Sequence, residues 1–162
     1  MQNGSPANSG YLVSCAWLAQ RLQDPRVRVI EVSSSPDDAS YREGHVPGAV
    51  WWYWKEALWH PTDREFPTPE ELARRLGRIG VTPETTVVVY GTPVQFGVYA
   101  FWVLTMGGHG DTRVLDGGLA RWKAEGRPLS TEAPSYPEVP YAPGRADASS
   151  RVGRDEVRAA LG

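Results

Sequence analysis

The chain has 162 residues with 17 basic and 19 acidic side chains, three histidines and one cysteine, for a formal net charge of −2 at pH 7. A domain of this size buries roughly 70% of the surface its unfolded form exposes, and its scattered charge excludes the basic footprint of a nucleic-acid or anionic-membrane binder. No apolar run is long enough to span a bilayer, and a lone cysteine, Cys15, excludes an internal disulfide or a thiolate metal cluster.

The opening MQNGSPANSG is polar and lacks a basic-then-apolar signal pattern, so residues 1–10 read as a disordered leader and cytoplasmic residence is expected. Ser14 is placed to cap a helix running to about Asp24, with Trp17, Leu18 and Leu22 on one face and Pro25 as its stop. Residues 27–32 read as a buried strand of β-branched side chains. Residues 35–43 look helical, and GHVPGA then turns the chain into a second strand over 49–52. The following YWKEALWH fits either a short helix or an irregular loop.

Thr68, Pro69 and Glu71 form the signature of a capping box opening a helix through about Arg78, closed by Gly80. Residues 86–90 make the clearest central strand and 94–106 the clearest long helix, which Gly107 and Gly108 stop. A short strand at 113–115 and a helix over 117–125 follow. Proline density then rises through RPLSTEAPSYPEVPYAPG, an extended strap or linker, and the linker proper is set at 131–150. The end, RVGRDEVRAAL, lays over LVSCAWLAQRL with Val152 on Val13, Val157 on Leu18 and Leu161 on Leu22. Residues 151–162 therefore read as the start of a second, truncated domain. Alternating helices and strands with short connections predict an α/β domain, its mostly parallel central sheet covered by helices on both faces.

The segments VIEV, YREGHVPGAV, TVVVYG and RVLDGGLARWKAEGRPL, in this order and spacing, resemble the rhodanese family from about residue 11 to residue 130. With YAFWVL and the proline strap, the likeness is to the N-terminal, non-catalytic domain of tandem thiosulfate or mercaptopyruvate sulfurtransferases. In catalytic members of that family, the loop after the VVVY-like strand begins with a cysteine, and loop amides and a helix N-terminus converge on it. Such a cradle lowers a thiol pKa and stabilises an anionic persulfide that passes its sulfur to a nucleophile such as cyanide.

The corresponding residues here are Gly91, Thr92, Pro93, Val94, Gln95, Phe96 and Gly97. Gly91 stands at the nucleophile position, Pro93 removes one amide donor, and the loop holds no lysine or arginine. The resemblance thus implies a degenerate loop and an inactive isolated chain with no catalytic residue, cofactor or metal. The partner it implies is a catalytic rhodanese domain lying C-terminal in the same natural chain, with neither nucleic acid nor membrane involved. The alternative is a stand-alone protein-interaction module with the same fold. A phosphatase of this fold needs a cysteine nucleophile and an arginine clamp, and neither occurs between Gly91 and Gly97.

Further candidates are weighed against structural roles. Cys15 sits in the first turn of a capped helix but far from the loop, and reads as structural. His45 matches a histidine that in mercaptopyruvate-type relatives faces the neighbouring domain, although the GHVPGA pattern also sets a sharp turn. Arg42 and Arg121 are candidates for an anion near an interdomain cleft or for ordinary surface ion pairs. Asp116, Gly117 and Gly118 match the family's turn into a helix. Trp51, Trp52, Trp54 and Trp59 crowd around Tyr53; strand alternation sends some inward, leaving Trp52, Trp54 and Trp59 as a candidate docking surface.

Overall fold

The computed structural model describes residues 10–59, 62, 65–147, 149 and 154–161. The leader expected over 1–10 lies outside the described residues save Gly10, as do His60 and residues 151–153. The elements run β1 (Leu12–Val13), α1 (Cys15–Ala19), β2 (Val27–Ser33), α2 (Ala39–Glu43), β3 (Val50–Tyr53), α3 (Trp54–Ala57), α4 (Pro69–Arg78), β4 (Thr86–Thr92), α5 (Gln95–Met106), β5 (Thr112–Leu115), α6 (Gly118–Ala124) and α7 (Arg154–Ala160).

The five strands form one sheet in the order β1-β5-β4-β2-β3, and every adjacent pair is parallel. Helices cover both faces, as parallel strands require. On one face, Ile30, Val32, Val87 and Val89 pack against Ala57, Leu72, Leu76, Ala100, Val103 and Leu104 from α3, α4 and α5. On the other, Val27, Val29, Val88 and Tyr90 meet Cys15, Leu18 and Trp122 from α1 and α6. Alternation along β2 and β4 feeds both cores at once, which is why the middle of each strand is rich in valine and isoleucine on both faces.

Local chemistry sets where the helices begin and end. The Thr68 hydroxyl accepts from the Glu71 amide at 3.2 Å while the Glu71 carboxylate accepts from the Thr68 amide at 2.9 Å, completing the capping box. The α1 helix is one turn long and not two, because at Arg21 the amide bonds to the Leu18 carbonyl three residues back and the chain leaves the α spacing before Pro25. The α2 helix starts only at Ala39 because the Ser33, Ser35 and Asp37 side chains accept from the amides of Ser35, Asp37 and Ala39 in succession. Those local bonds satisfy the backbone in turns and compete with helix. Within YWKEALWH, Trp54–Ala57 form the single turn of α3.

The proline-rich segment runs along the domain and is tied to it at several points. Ser130 and His45 exchange backbone hydrogen bonds of 2.9 Å each way. The Tyr136 hydroxyl donates to the Gly48 carbonyl at 2.7 Å, the Val139 amide to Gly77, and the Asp147 amide to Met106. Beyond it, Val157 of α7 and Leu161 just after the helix are exposed.

Candidate functional site

Chain order reverses across the centre of the sheet: β2 leads through α2 to β3 on one side, and β4 leads through α5 to β5 on the other. The carboxyl ends of β2 and β4 therefore diverge, opening the crevice in which α/β sheets place ligands. Register sets Glu31 beside Tyr90, Val32 beside Gly91 and Ser33 beside Thr92 at that edge.

Glu31 is the most unusual residue there, a carboxylate only 1% exposed between Ile30 and Val32. The Tyr90 hydroxyl donates to it at 2.6 Å and the Thr92 hydroxyl at 3.3 Å, while the Val46 amide donates to the Tyr90 oxygen at 3.2 Å. This chain of bonds joins the GHVPGA turn to the ends of β4 and β2. Burial raises the Glu31 pKa, the hydrogen bonds only partly offsetting it. Tyr90 is pushed well above its usual value, first by burial and then by the Glu31 charge. A cavity of about 340 Å³ lies alongside, walled by Glu31, Ser33, Ser35, Asp37, Tyr41 and Trp51 among others. Sequence reading missed this network; its one signal was the acid in the middle of VRVIEV.

The loop expected to be degenerate runs from the end of β4 into α5. Gly91 is packed so tightly that a Cβ there would stand 2.3 Å from the Gly97 amide nitrogen, 2.7 Å from the Pro93 oxygen and 2.8 Å from the Phe96 carbonyl carbon. All three neighbours are backbone. The Phe96 amide donates to the Pro93 carbonyl and the Gly97 amide to the Val94 carbonyl, each at 3.1 Å. These donors are turned onto the loop itself and not toward a central anion. The Thr92 side chain is engaged with Glu31 on the opposite face of the sheet. Outside, Val94 is 60% and Val98 58% exposed beside a shallow, mostly apolar groove formed with Pro93, Leu119 and Ala120.

The remaining candidates are dispersed. Cys15 is 0% exposed, its thiol directed at the Asp116 carbonyl 3.9 Å away, and burial, more than the nearby Glu125 charge, pushes its pKa up. His45 is fully buried and stacked on Tyr41, with Nδ1 2.7 Å from the Tyr41 carbonyl and Nε2 3.0 Å from the Glu132 carbonyl. It thereby pins the strap to the turn. Arg42 pairs with Asp38 and Arg121 with Asp116, both as exposed surface pairs. Gly117, at φ 77°, opens α6, and a Cβ there would strike Arg121.

None of the four clustered tryptophans is fully exposed. Trp52 and Trp54 pack on the core of the α3–α5 face, Trp54 also meets Trp59, Phe96 and Tyr99, and Trp59 meets Phe66. Trp51, one residue out of phase, lines the cavity on the other face. Among the described residues, no three His, Cys, Asp or Glu side chains converge on a metal-sized site, and no helix is long and apolar enough to cross a membrane.

Comparison with known proteins gives a consistent assignment. The rhodanese-like domain model matches residues 14–125. The sulfur carrier protein TtuD of Thermus thermophilus is 44% identical over 156 residues, spanning 93% of this chain and 53% of that protein. A putative thiosulfate sulfurtransferase of Mycolicibacterium smegmatis is 37% identical over 157 residues, spanning 96% and 56%. The chain thus spans about half the length of the curated relatives it matches. Among solved structures, the 3-mercaptopyruvate sulfotransferase SseA of Escherichia coli superposes with a TM-score of 0.78 at 25% identity, covering 93% of this chain and 61% of SseA. EanB in complex with ergothioneine superposes with a TM-score of 0.79 at 26% identity, covering 94% and 41%.

Proposed function

The chain belongs to the rhodanese-like domain family, and on that premise we propose that it is a non-catalytic half of a thiosulfate sulfurtransferase-like protein. In this reading it supports sulfur transfer from thiosulfate or mercaptopyruvate to a thiophilic acceptor, while a separate cysteine-bearing domain does the chemistry. The observation that carries the proposal is Gly91, whose backbone surroundings leave no room for any side chain. No thiolate stands at the mouth of α5, and the one cysteine of the chain is buried with a raised pKa. A buried, protonated thiol attacks neither thiosulfate nor mercaptopyruvate at a useful rate.

The exposed Val94 and Val98, beside the same loop, supply an apolar face against which the catalytic domain packs in this proposal. The sulfurtransferase names of the relatives, and the half-length match to them, support a partner domain of the same family.

The test is direct. Purified chain incubated with thiosulfate and cyanide is expected to release no thiocyanate, and its intact mass to show no added sulfur atom. Thiocyanate production that disappears in Cys15→Ser overturns the reading. Loss of co-elution with a cysteine-bearing rhodanese domain in Val94→Asp and Val98→Asp is the expected result for the docking face; co-elution unaffected by both removes that part.

A further inference from the structure

We propose that Arg28 forms the floor of a second site, at the opposite end of the sheet from the degenerate loop, that binds a small oxyanion. Arg28 is the second residue of β2, five residues before Ser33, and so lies about 16 Å from the crevice edge at the usual strand rise. It is only 8% exposed, and its Nε has no hydrogen-bond partner. Among the described residues its guanidinium makes no ion pair. A buried guanidinium N–H left without an acceptor is costly, and arginines this deep normally find a carboxylate or another anion.

Among the described residues, the strong contact Arg28 makes uses the wrong part of the group to satisfy that need. The Tyr136 ring of the strap covers the guanidinium face, with Cζ 3.2 Å from the ring centroid. Stacking engages the π face; the N–H donors lie in the plane and project from its edge. Arg28 also lines a cavity of about 410 Å³, walled by Gln23, Asp24, Gly48 and Tyr136 with Leu22 and three prolines. This is ample for a carboxylate, sulfate or phosphate held by the planar fork of an arginine.

Asp24, the acid in the wall, does not compete for Arg28. Its carboxylate already accepts from Arg26, from Nε at 3.1 Å, NH2 at 3.0 Å and the backbone amide at 2.9 Å. The Tyr136 hydroxyl is likewise committed to the Gly48 carbonyl. Among the described residues Arg28 thus remains the cation lining the cavity without a counter-charge, and an oxyanion seated there also fixes the strap residue stacked above it.

The Nε–H resonance of Arg28 in uniformly ¹³C,¹⁵N-labelled full chain reads the site, assigned by through-bond correlation along the side chain to the Arg28 backbone. Titration with sodium sulfate, sodium phosphate or sodium acetate should move that resonance saturably, while sodium chloride at equal ionic strength should not. The acetate arm separates planar carboxylates from tetrahedral anions. In parallel, thermal stabilisation by the best anion should require about 10-fold or more higher concentration in Arg28→Lys, which keeps the charge but loses the fork. Linear drift equal to that of chloride with all three anions overturns the proposal, as does equal stabilisation of Arg28→Lys. If Arg28→Lys fails to fold, the Nε–H titration of the unmodified chain decides alone.

Discussion

Gly91→Cys is the substitution that best separates a missing nucleophile from a missing cradle. If only the sulfur were absent, restoring it should restore transfer. The structure says otherwise, because the new Cβ meets backbone atoms at 2.3, 2.7 and 2.8 Å before the sulfur is placed at all. No rotamer relieves a backbone contact, so β4 and the first turn of α5 must separate. Overpacking typically costs 1–3 kcal/mol; with three simultaneous backbone contacts the top of that range, about 3 kcal/mol, applies, lowering the melting temperature by roughly 6–12 °C for a domain of this size. Gly91→Ala should be destabilised almost as much, since the offending atom is the Cβ. Circular dichroism melts of the parent and both variants measure the cost, and a thiosulfate to cyanide assay measures the chemistry. A Gly91→Cys protein with the parental melting temperature and brisk thiocyanate release would refute both the steric and the electrostatic parts of this reasoning.

Other groups give further tests. Burial raises the Glu31 pKa above 4.5, so the folded state holds that proton more tightly than the unfolded one; stability is greatest below that value and falls as pH rises through the elevated pKa, a slope that Glu31→Gln should remove in urea titrations. His109 behaves oppositely: burial lowers its pKa from 6.5, so stability should fall as pH drops below that value and the unfolded state takes up the proton first. Its Nε2 donates to the Thr85 carbonyl at 2.9 Å and its Nδ1 accepts from the Tyr141 hydroxyl at 2.7 Å; Tyr141→Phe should cost about 1–3 kcal/mol in denaturant unfolding and speed amide exchange at Val139. Cys15, fully buried with a raised pKa, should react with a thiol reagent only on unfolding; rapid stoichiometric labelling of the native chain would contradict its placement.

Much of the fold was legible because its strongest signals are local and redundant. A short apolar β-branched run marks β2 and β4, Thr68-Pro69-Glu71 marks the start of α4, and Gly107 marks the end of α5. What escaped was decided by tertiary contact or by competing local bonds. β1 has only two residues, too few to show a period, and exists because it pairs with β5. The residues before α2 fit a helix by pattern, whereas the serine and aspartate hydrogen bonds to neighbouring amides hold turns. The candidate site divides in the same way: the absence of a cysteine at Gly91 is visible in one letter, but the closure of Gly97 onto it is not. Arg28 gave no signal beyond a charge in a strand, because its significance lies in Tyr136, which is 108 positions distant in the sequence.

The GHVPGA turn has work to do that requires no thiolate. Its Val46 amide feeds the Tyr90 hydroxyl, which in turn feeds Glu31, and its His45 is clasped between carbonyls of α2 and the strap. The turn therefore holds the ends of β2 and β4 in register from one side, while the packing of Gly91 on Gly97 locks β4 to α5 from the other. A loop that bears a persulfide needs its amides pointing inward at an anion, with the helix held back to make space. Here the space is closed, the amides of Phe96 and Gly97 are satisfied within the loop, and the apolar Val94 and Val98 face outward. In this proposal the same strand-loop-helix unit has exchanged a charged, open cradle for a rigid apolar surface, which is what a supporting domain requires and a catalytic one cannot tolerate.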